Sequence, residues 1–371
     1  MNMYLYGYGP EATRRYILVD TGVTFPEAEG TPGVDLIMAD PAFIAERADR
    51  LDGIFITHAH EDHVGALGHL WPRLKAPVYA RRFTAEHARR KLEDAGQNPD
   101  VVQVVPAFPE TVEAGPFRVA FVPVAHSIPE ASALLIETAA GRLLHTGDLK
   151  TDATPLIGEP HDPDLLKAAA GDGLQALICD STNVFSPNPG RSEATLVEPI
   201  TELVRASKGI VAATTFASNV ARVGTLARAG VAAGRAVVVL GRSMNRMLEV
   251  AKKTDVLGDF PEISDQSALE HTPSDHLMVI VTGSQGEPRA MSAQLARGSH
   301  GKLELGQGDT FLFSSKTIPG NEVGVAEIQN QFAARGVRVV DGEDGTYHVS
   351  GHANRPDLES LHRLHDHPRV E

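Results

Sequence analysis

The sequence predicts an α/β protein in two parts: sheets packed together under helices, followed by a parallel sheet alternating with helices. Three observations predict this. Short β-branched runs separated by turns fill the first half of the chain. From about Ser192 the texture changes to regular strand–helix alternation. Between them lies Ser186-Pro-Asn-Pro-Gly190, a loop-forming stretch that puts a boundary near 185–192. The length of 371 residues agrees with two domains.

In the first part, 16–20, 53–57, 117–124 and 133–137 read as strands, and 62–74 and 83–95 carry helical periodicity. In the second part, helix 192–207 leads to strand 209–213 and helix 219–232 to strand 236–240. Helix 243–253, strand 276–282, helix 288–297, strand 310–313, helix 321–335 and strand 337–340 complete the rhythm. There is no internal repeat and no low-complexity tract.

Hydrophobic residues make up 42% and charged residues 22%, an ordinary globular balance. No run of eighteen apolar residues indicates a transmembrane helix. The opening Met1-Asn-Met-Tyr-Leu-Tyr-Gly-Tyr has no basic n-region, so it does not read as a secretion signal. A single cysteine, Cys179, excludes disulfide frameworks and cysteine-rich zinc sites. These features fit a cytoplasmic enzyme. The net charge of −14 argues against a non-specific nucleic-acid coat. It leaves room for a nucleic-acid enzyme, because bound cations and a few local Arg or Lys can make one cleft positive.

The densest chemistry lies in Thr57-His58-Ala59-His60-Glu61-Asp62-His63, at the exit of strand 53–57. A His-x-His pair on extended chain aims both imidazoles to one side. Asp62 and His63 then open the next helix. Neutral imidazoles with a carboxylate suit zinc or manganese. A polar loop with surface histidines is the plain alternative, and the density of donors argues against it. Further ligands are expected at strand ends downstream: His126, after the strand ending at Val124, and Asp148, in Leu143-Leu-His-Thr-Gly-Asp148.

This order of residues resembles the metallo-β-lactamase superfamily. Asp20, in Leu18-Val-Asp20-Thr-Gly, matches its first motif, whose implied role is to orient the metal loop. Val23-Thr-Phe-Pro26, His126-Ser-Ile-Pro129, Asp180-Ser-Thr-Asn183, Thr215-Phe-Ala-Ser-Asn219, Gly283-Ser-Gln-Gly-Glu-Pro288 and His348-Val-Ser-Gly-His-Ala353 narrow the likeness to the ribonuclease J family of the β-CASP branch. The resemblance covers essentially the whole chain. It implies a metallo-β-lactamase αββα sandwich with an inserted β-CASP domain containing a parallel sheet. The expected division is 1–187 and 346–371 for the first domain and 188–345 for the insert.

The resemblance also implies a ligand set: His58, His60 and His126 for one divalent cation, Asp62 and His63 for a second, and Asp148 bridging. The implied activity is exonucleolytic 5′-to-3′ and endonucleolytic cleavage of RNA, leaving 5′-phosphates, in RNA maturation and decay. Asp180 and His352 are then candidates for proton transfer and leaving-group stabilisation, beside Asp62.

In the second part, Ser218-Asn219, Gly283-Ser284-Gln-Gly-Glu287 and Ser314-Ser-Lys-Thr-Ile-Pro-Gly320 all follow strands. Ligands gather at the carboxyl ends of parallel strands, and these loops combine hydroxyls and backbone N–H groups that suit anions. Capping and turn chemistry is the alternative for each loop singly. With the resemblance, Ser218, Asn219, Ser284, His348, Ser350, Gly351 and His352 are expected to bind RNA. Phe216 suits either stacking on a base or packing in the core.

Both ends depart from the family pattern. The opening glycine-rich strand is not matched, nor is a late Pro-Val-His-Gly-Glu loop whose histidine helps complete the second metal site. This predicts a fragment of weak or absent activity, in which His362, His365 and His367 are solvated rather than replacement ligands. Two other readings stand beside the ribonuclease: a hydrolase of small esters, thioesters or lactams, and an inactive RNA-binding subunit. The metal, zinc or manganese, and any homo-oligomer are left open by the sequence.

Overall fold

The computed structural model describes residues 1–26, 32–342 and 344–364. It divides into two compact units, the first from 1–153, 158–190 and the chain from 351 onward, the second from 154–157 and 191–350.

The first unit holds two five-stranded sheets and a small ribbon. In chain order its strands are β1 (Tyr4–Tyr8), β2 (Arg15–Val19), β3 (Val23–Thr24), β4 (Ile37–Met38), β5 (Leu51–Phe55), β6 (Val78–Ala80) and β7 (Val102–Val104). They are followed by β8 (Val112–Ala114), β9 (Phe117–Pro123), β10 (Ser132–Thr138), β11 (Gly141–His145) and β12 (Ala176–Ile178). One sheet has the order β1-β2-β5-β6-β7, the other β12-β11-β10-β9-β8, and β3 pairs with β4.

Side-chain alternation sets the layers. Ile17 and Val19 of β2, Phe55 of β5, Val119 and Phe121 of β9, and Leu134 and Ile136 of β10 share one core between the sheets. The intervening Leu18 and Ile54 pack outward on Leu67, Leu70, Ala88 and Leu92 of helices Leu67–Leu74 and Arg82–Asp94. On the other sheet, Ala120, Val122 and Leu135 pack on Leu166 and Ala169 of helix Pro163–Ala170 and on Leu361 of helix Arg355–Leu364. The layer order is therefore helix, sheet, sheet, helix. Each fully buried Leu, Ile or Phe contributes about 1.5–3 kcal/mol from area burial.

The second unit holds one parallel sheet of β13 (Val211–Thr214), β14 (Ala236–Leu240), β15 (Leu277–Val281), β16 (Thr310–Phe313) and β17 (Arg338–Asp341), in the order β14-β15-β13-β16-β17. The four strands β13 to β16 are almost continuous apolar runs because both faces are covered, whereas β17, at the sheet's edge, carries Arg338 and Asp341 exposed. Ala212, Val279 and Phe311 meet Leu295, Ile328 and Phe332 on one face. Ala213, Ile280 and Leu312 meet Leu203, Val223 and Leu226 on the other.

Two expected helices change shape. Helix 62–74 is two helices, Glu61–Val64 and Leu67–Leu74. Thr21 takes its place in the ladder: its N–H donates to the His63 carbonyl at 2.6 Å, and its carbonyl accepts from Ala66 N–H at 2.8 Å. Helix 288–297 starts only at Met291, because Gly283 to Ala290 form a loop tied to Ser292, whose Oγ donates to the Gly283 carbonyl at 2.6 Å. Among the described residues no helix is long and apolar enough to cross a membrane.

Candidate active site

In the first unit, β5 runs on through Ile56 and Thr57 to the histidine motif. The loop is held from below by Asp20, which is fully buried with a φ of 61°. Its carboxylate accepts from Thr57 N–H at 2.8 Å and Thr57 Oγ1 at 2.9 Å, and lies 2.7 Å from Nδ1 of His63. A positive φ costs a residue other than glycine strain, and Asp tolerates it better than most. The strain persists here because three hydrogen bonds over-determine it. Asp20 thus touches the motif and turns Nε2 of His63 away from itself.

The strand exits converge. His58, His60, His126 and Asp148 have donor atoms within 4.8 Å of one another, as do Asp62, His63 and Asp148, and again Asp148, Asp180 and His352. His60 Nδ1 lies 3.1 Å from Nε2 of both His58 and His126. Oδ2 of Asp148 is 3.2 Å from His63 Nε2, 3.8 Å from His58 Nε2 and 3.9 Å from His126 Nε2. Asp62 Oδ2 is 3.5 Å from His63 Nε2. One carboxylate oxygen therefore stands at the meeting point of two donor groups.

The electrostatics suit cation binding. Burial pushes His60 and His126 down to about 3, and His58 also falls well below its usual value, so these rings are neutral and offer lone pairs. Burial alone would raise the Asp148 carboxyl, but the imidazoles, His63 foremost, hold it well below the carboxylate range. Burial would likewise lower His63, yet Asp20 and Asp148 outweigh it and raise it well above its usual value. A divalent cation held here would take the place of that proton. His126 is oriented from outside: its Nδ1 donates to the Gly351 carbonyl at 2.7 Å, which leaves Nε2 for a ligand role. A Cβ at Gly351 would come within 3.1 Å of the His126 ring, so a larger residue here would press on that imidazole.

Glu61, inside the motif, is no ligand. Lys91 Nζ donates to its two oxygens at 2.6 and 2.8 Å, pinning helix Glu61–Val64 to helix Arg82–Asp94. Burial disfavours its charge, but His87 and Lys91 prevail and bring the carboxyl down to about 2.

Asp180 Oδ2 lies 2.7 Å from His352 Nδ1. Burial opposes the charge on His352, but the hydrogen bond and charge of Asp180 outweigh it and raise its pKa. Cys179, next door, is pushed up to about 12 by burial and offers no thiolate. His362 is exposed and joins none of the donor groups among the described residues. His365 and His367 lie outside the described residues.

In the second unit, the loops after β13, β15 and β16 leave three adjacent strands of one parallel sheet at the same edge. Ser284 is buried, whereas Ser218, His348 and Ser350 are part-exposed. Asn219 is the N-cap of helix Val220–Ala232, and its Oδ1 accepts from Arg222 N–H at 2.8 Å. Two hydroxyls at this edge, Thr215 Oγ1 and Ser315 Oγ, are buried with no hydrogen-bond partner. Phe216 is half-buried.

Sequence reasoning missed several residues. Arg222 is fully buried. It donates to Glu193 at 2.6 and 2.9 Å, to the carbonyls of Ser314 at 2.7 Å and Val349 at 3.1 Å, and lies 3.2 Å from His348 Nδ1. Asn2, Thr21 and Thr57 brace the metal loop. No local pattern marks them, although the Asn219-to-Arg222 spacing does carry an N-cap signal.

The donor set of the first unit fits divalent cations: the neutral buried imidazoles of His58, His60 and His126, the carboxylates of Asp62 and Asp148 and hydrogen bonds from behind that fix ring orientation. Residues 2–179 match the model of the metallo-beta-lactamase superfamily, and residues 208–332 match the ribonuclease J beta-CASP domain. Ribonuclease J of Sinorhizobium meliloti is 41% identical over 363 residues, 98% of this chain and 64% of that protein. Ribonuclease J of Mycolicibacterium smegmatis is 39% identical over 93% of this chain and 62% of its own length. Ribonuclease J of Helicobacter pylori 26695 is 31% identical over 95% of this chain and 52% of its own length. The chain thus spans less than two thirds of these relatives. A crystal structure of a protein of unknown function from Enterococcus faecalis V583 superposes with a TM-score of 0.61 at 16% identity, covering 95% of this chain and 86% of that one, and supports the fold alone.

Proposed function

The chain belongs to the ribonuclease J family of the metallo-β-lactamase superfamily, and from that premise we propose that it is a metal-dependent ribonuclease that hydrolyses RNA phosphodiester bonds to leave 5′-phosphates. The observation that carries the reading is the position of Asp148, one oxygen of which lies within 3.9 Å of His58, His63, His126 and His352 together. Such a carboxylate suits a bridge between two cations.

His58, His60 and His126 would hold one cation and Asp62 and His63 the other, with Asp148 between them. Bound cations lower the pKa of a water and neutralise charge on the phosphate oxygens. Zinc suits the imidazole-rich donors and manganese is admitted by the carboxylates. Asp180 keeps a proton on Nδ1 of His352, so that Nε2–H can protonate the departing 3′-oxygen. The phosphate then stays on the 5′ side of the product. Asp62, ordinarily a ligand, has no separate proton-transfer role in this scheme.

Ser218, Ser284, His348 and Ser350 would hold RNA phosphates by neutral hydrogen bonds. Asn219 would act through its cap and Gly351 through His126. The reading takes 188–345 as the inserted domain, a cytoplasmic setting, exonucleolytic and endonucleolytic action in RNA maturation and decay, and self-association as the assembly to test.

The test is a His60→Ala/Asp62→Ala double variant. It should lose zinc- or manganese-dependent cleavage of 5′-monophosphorylated RNA by more than about a thousandfold, as expected when an essential electrostatic group is removed. Unchanged cleavage sinks the metal reading. A parent chain that binds RNA without metal or cleavage would instead be an RNA-binding subunit, and one that cleaves only chromogenic esters would be a small-ester hydrolase.

A further inference from the structure

Asp62 differs from the other candidate ligands. His58 and His126 are buried, but the Asp62 side chain is 47% exposed, at the first turn of a four-residue helix. An exposed carboxylate at such a place rotates freely unless something outside the helix holds it. The residue that holds it is Asn2.

Three bonds join the two. Asn2 N–H donates to the Asp62 carbonyl at 2.7 Å. Asn2 Nδ2 donates to the same carbonyl at 3.2 Å and to Oδ2 of Asp62 at 3.1 Å. The amide tip also lies 2.9 Å from Nε2 of His63, so it touches the donor atoms of both residues assigned to the second cation. Its orientation is set from the far side, where Tyr4 Oη donates to Oδ1 of Asn2 at 3.1 Å. That bond keeps the oxygen turned away and the NH2 group turned toward Asp62. The backbone is clamped as well: Gly22 N–H donates to the Asn2 carbonyl at 2.8 Å. A Cβ on Gly22 would fall 1.6 Å from the Asp62 carbonyl oxygen and 2.7 Å from Asn2 N, so only glycine lets the three segments meet.

We propose that Asn2, backed by Tyr4, is the positioning residue of the second metal site. It fixes the Asp62 carboxylate beside His63 before a cation arrives. The assignment rests on the two-cation reading above. It concerns one site only, because among the described residues the Asn2 amide nitrogen reaches Asp62 and His63 and not His58, His60 or His126. Losing a group that orients a ligand typically weakens metal affinity about tenfold to a hundredfold.

The experiment is titration of the metal-free 371-residue chain with zinc, and separately with manganese, by calorimetry. The parent, Asn2→Ala and Tyr4→Phe are compared, with thermal unfolding of the metal-free forms alongside. In Asn2→Ala the first equivalent should bind within about twofold of the parent and the second about tenfold to a hundredfold more weakly. Tyr4→Phe should weaken the second equivalent by a smaller factor, and excess metal should restore RNA cleavage by Asn2→Ala. A second equivalent as tight as in the parent overturns the role of Asn2 while leaving the two-cation reading intact. Equal weakening of both equivalents, or a large drop in melting temperature, overturns a role confined to one site. A parent that binds fewer than two equivalents overturns the two-cation reading and this assignment with it.

Discussion

At the strand exits of the first unit, seven ionisable groups crowd around one oxygen of Asp148, and three of them, His58, His60 and His126, are neutral imidazoles with lone pairs to offer. At the strand exits of the second unit, the buried cation Arg222 is already paired, with Glu193, two carbonyls and His348. At that edge the hydroxyls of Thr215 and Ser315 are buried without a hydrogen-bond partner, and Lys316, in the loop after β16, is exposed. The contrast teaches how one chain divides labour. On the proposed function, hydrolysis of a phosphodiester would need concentrated positive charge, which cations held in the first unit would supply. The second unit would hold phosphate through directed N–H and O–H donors while its buried Arg222 stays internal.

The sharpest way to break the contrast is Arg222→Met. If Arg222 is a scaffold rather than a phosphate ligand, removing it strands the buried Glu193 carboxylate and costs about 3–5 kcal/mol in a denaturant unfolding curve. The double variant Arg222→Met/Glu193→Leu should recover most of that loss. A single variant of parental stability with weakened RNA binding would make Arg222 a direct contact instead.

A smaller effect is expected at Asp180→Asn. His352 is held protonated by Asp180, so activity that depends on the protonated ring is present below its raised pKa and lost as pH rises through it. Without the carboxylate that pKa falls, the alkaline limb of the kcat profile moves to lower pH, and kcat drops about tenfold to a hundredfold. An alkaline limb that does not move assigns the proton to another group.

The smallest effect tests the second unit. Thr215→Val removes a buried hydroxyl that has no partner. Stability should hold or rise slightly, while KM for RNA should rise about two- to tenfold, the worth of one neutral hydrogen bond. Stability lost without any change in KM would mean that the hydroxyl serves the fold and not the substrate.

Much of this was legible in the chain, and the pattern of what was not is informative. The layers follow from alternation in runs such as Tyr16-Ile-Leu-Val19, and the parallel sheet follows from strand–helix rhythm, both properties of neighbouring residues. The motif 58–63 is compact enough to read directly. The break in helix 62–74 was not legible, because Thr21, forty-odd residues away, supplies the competing backbone bonds. Gly351 was read as a substrate contact, and its carbonyl proves to hold His126, a pairing across 225 positions. Asn219 was read the same way, and its oxygen is committed to a helix cap.

The sequence by itself determined which donors exist and that they stand at strand exits, since spacing of two and of a few residues is enough to aim side chains to one side. Only the tertiary structure decided which donors come within reach of one another and what holds each of them still. Those relations depend on backbone groups and on residues such as Asn2, Thr21 and Arg222, whose partners are set by the folding of distant segments together and leave no trace in local periodicity.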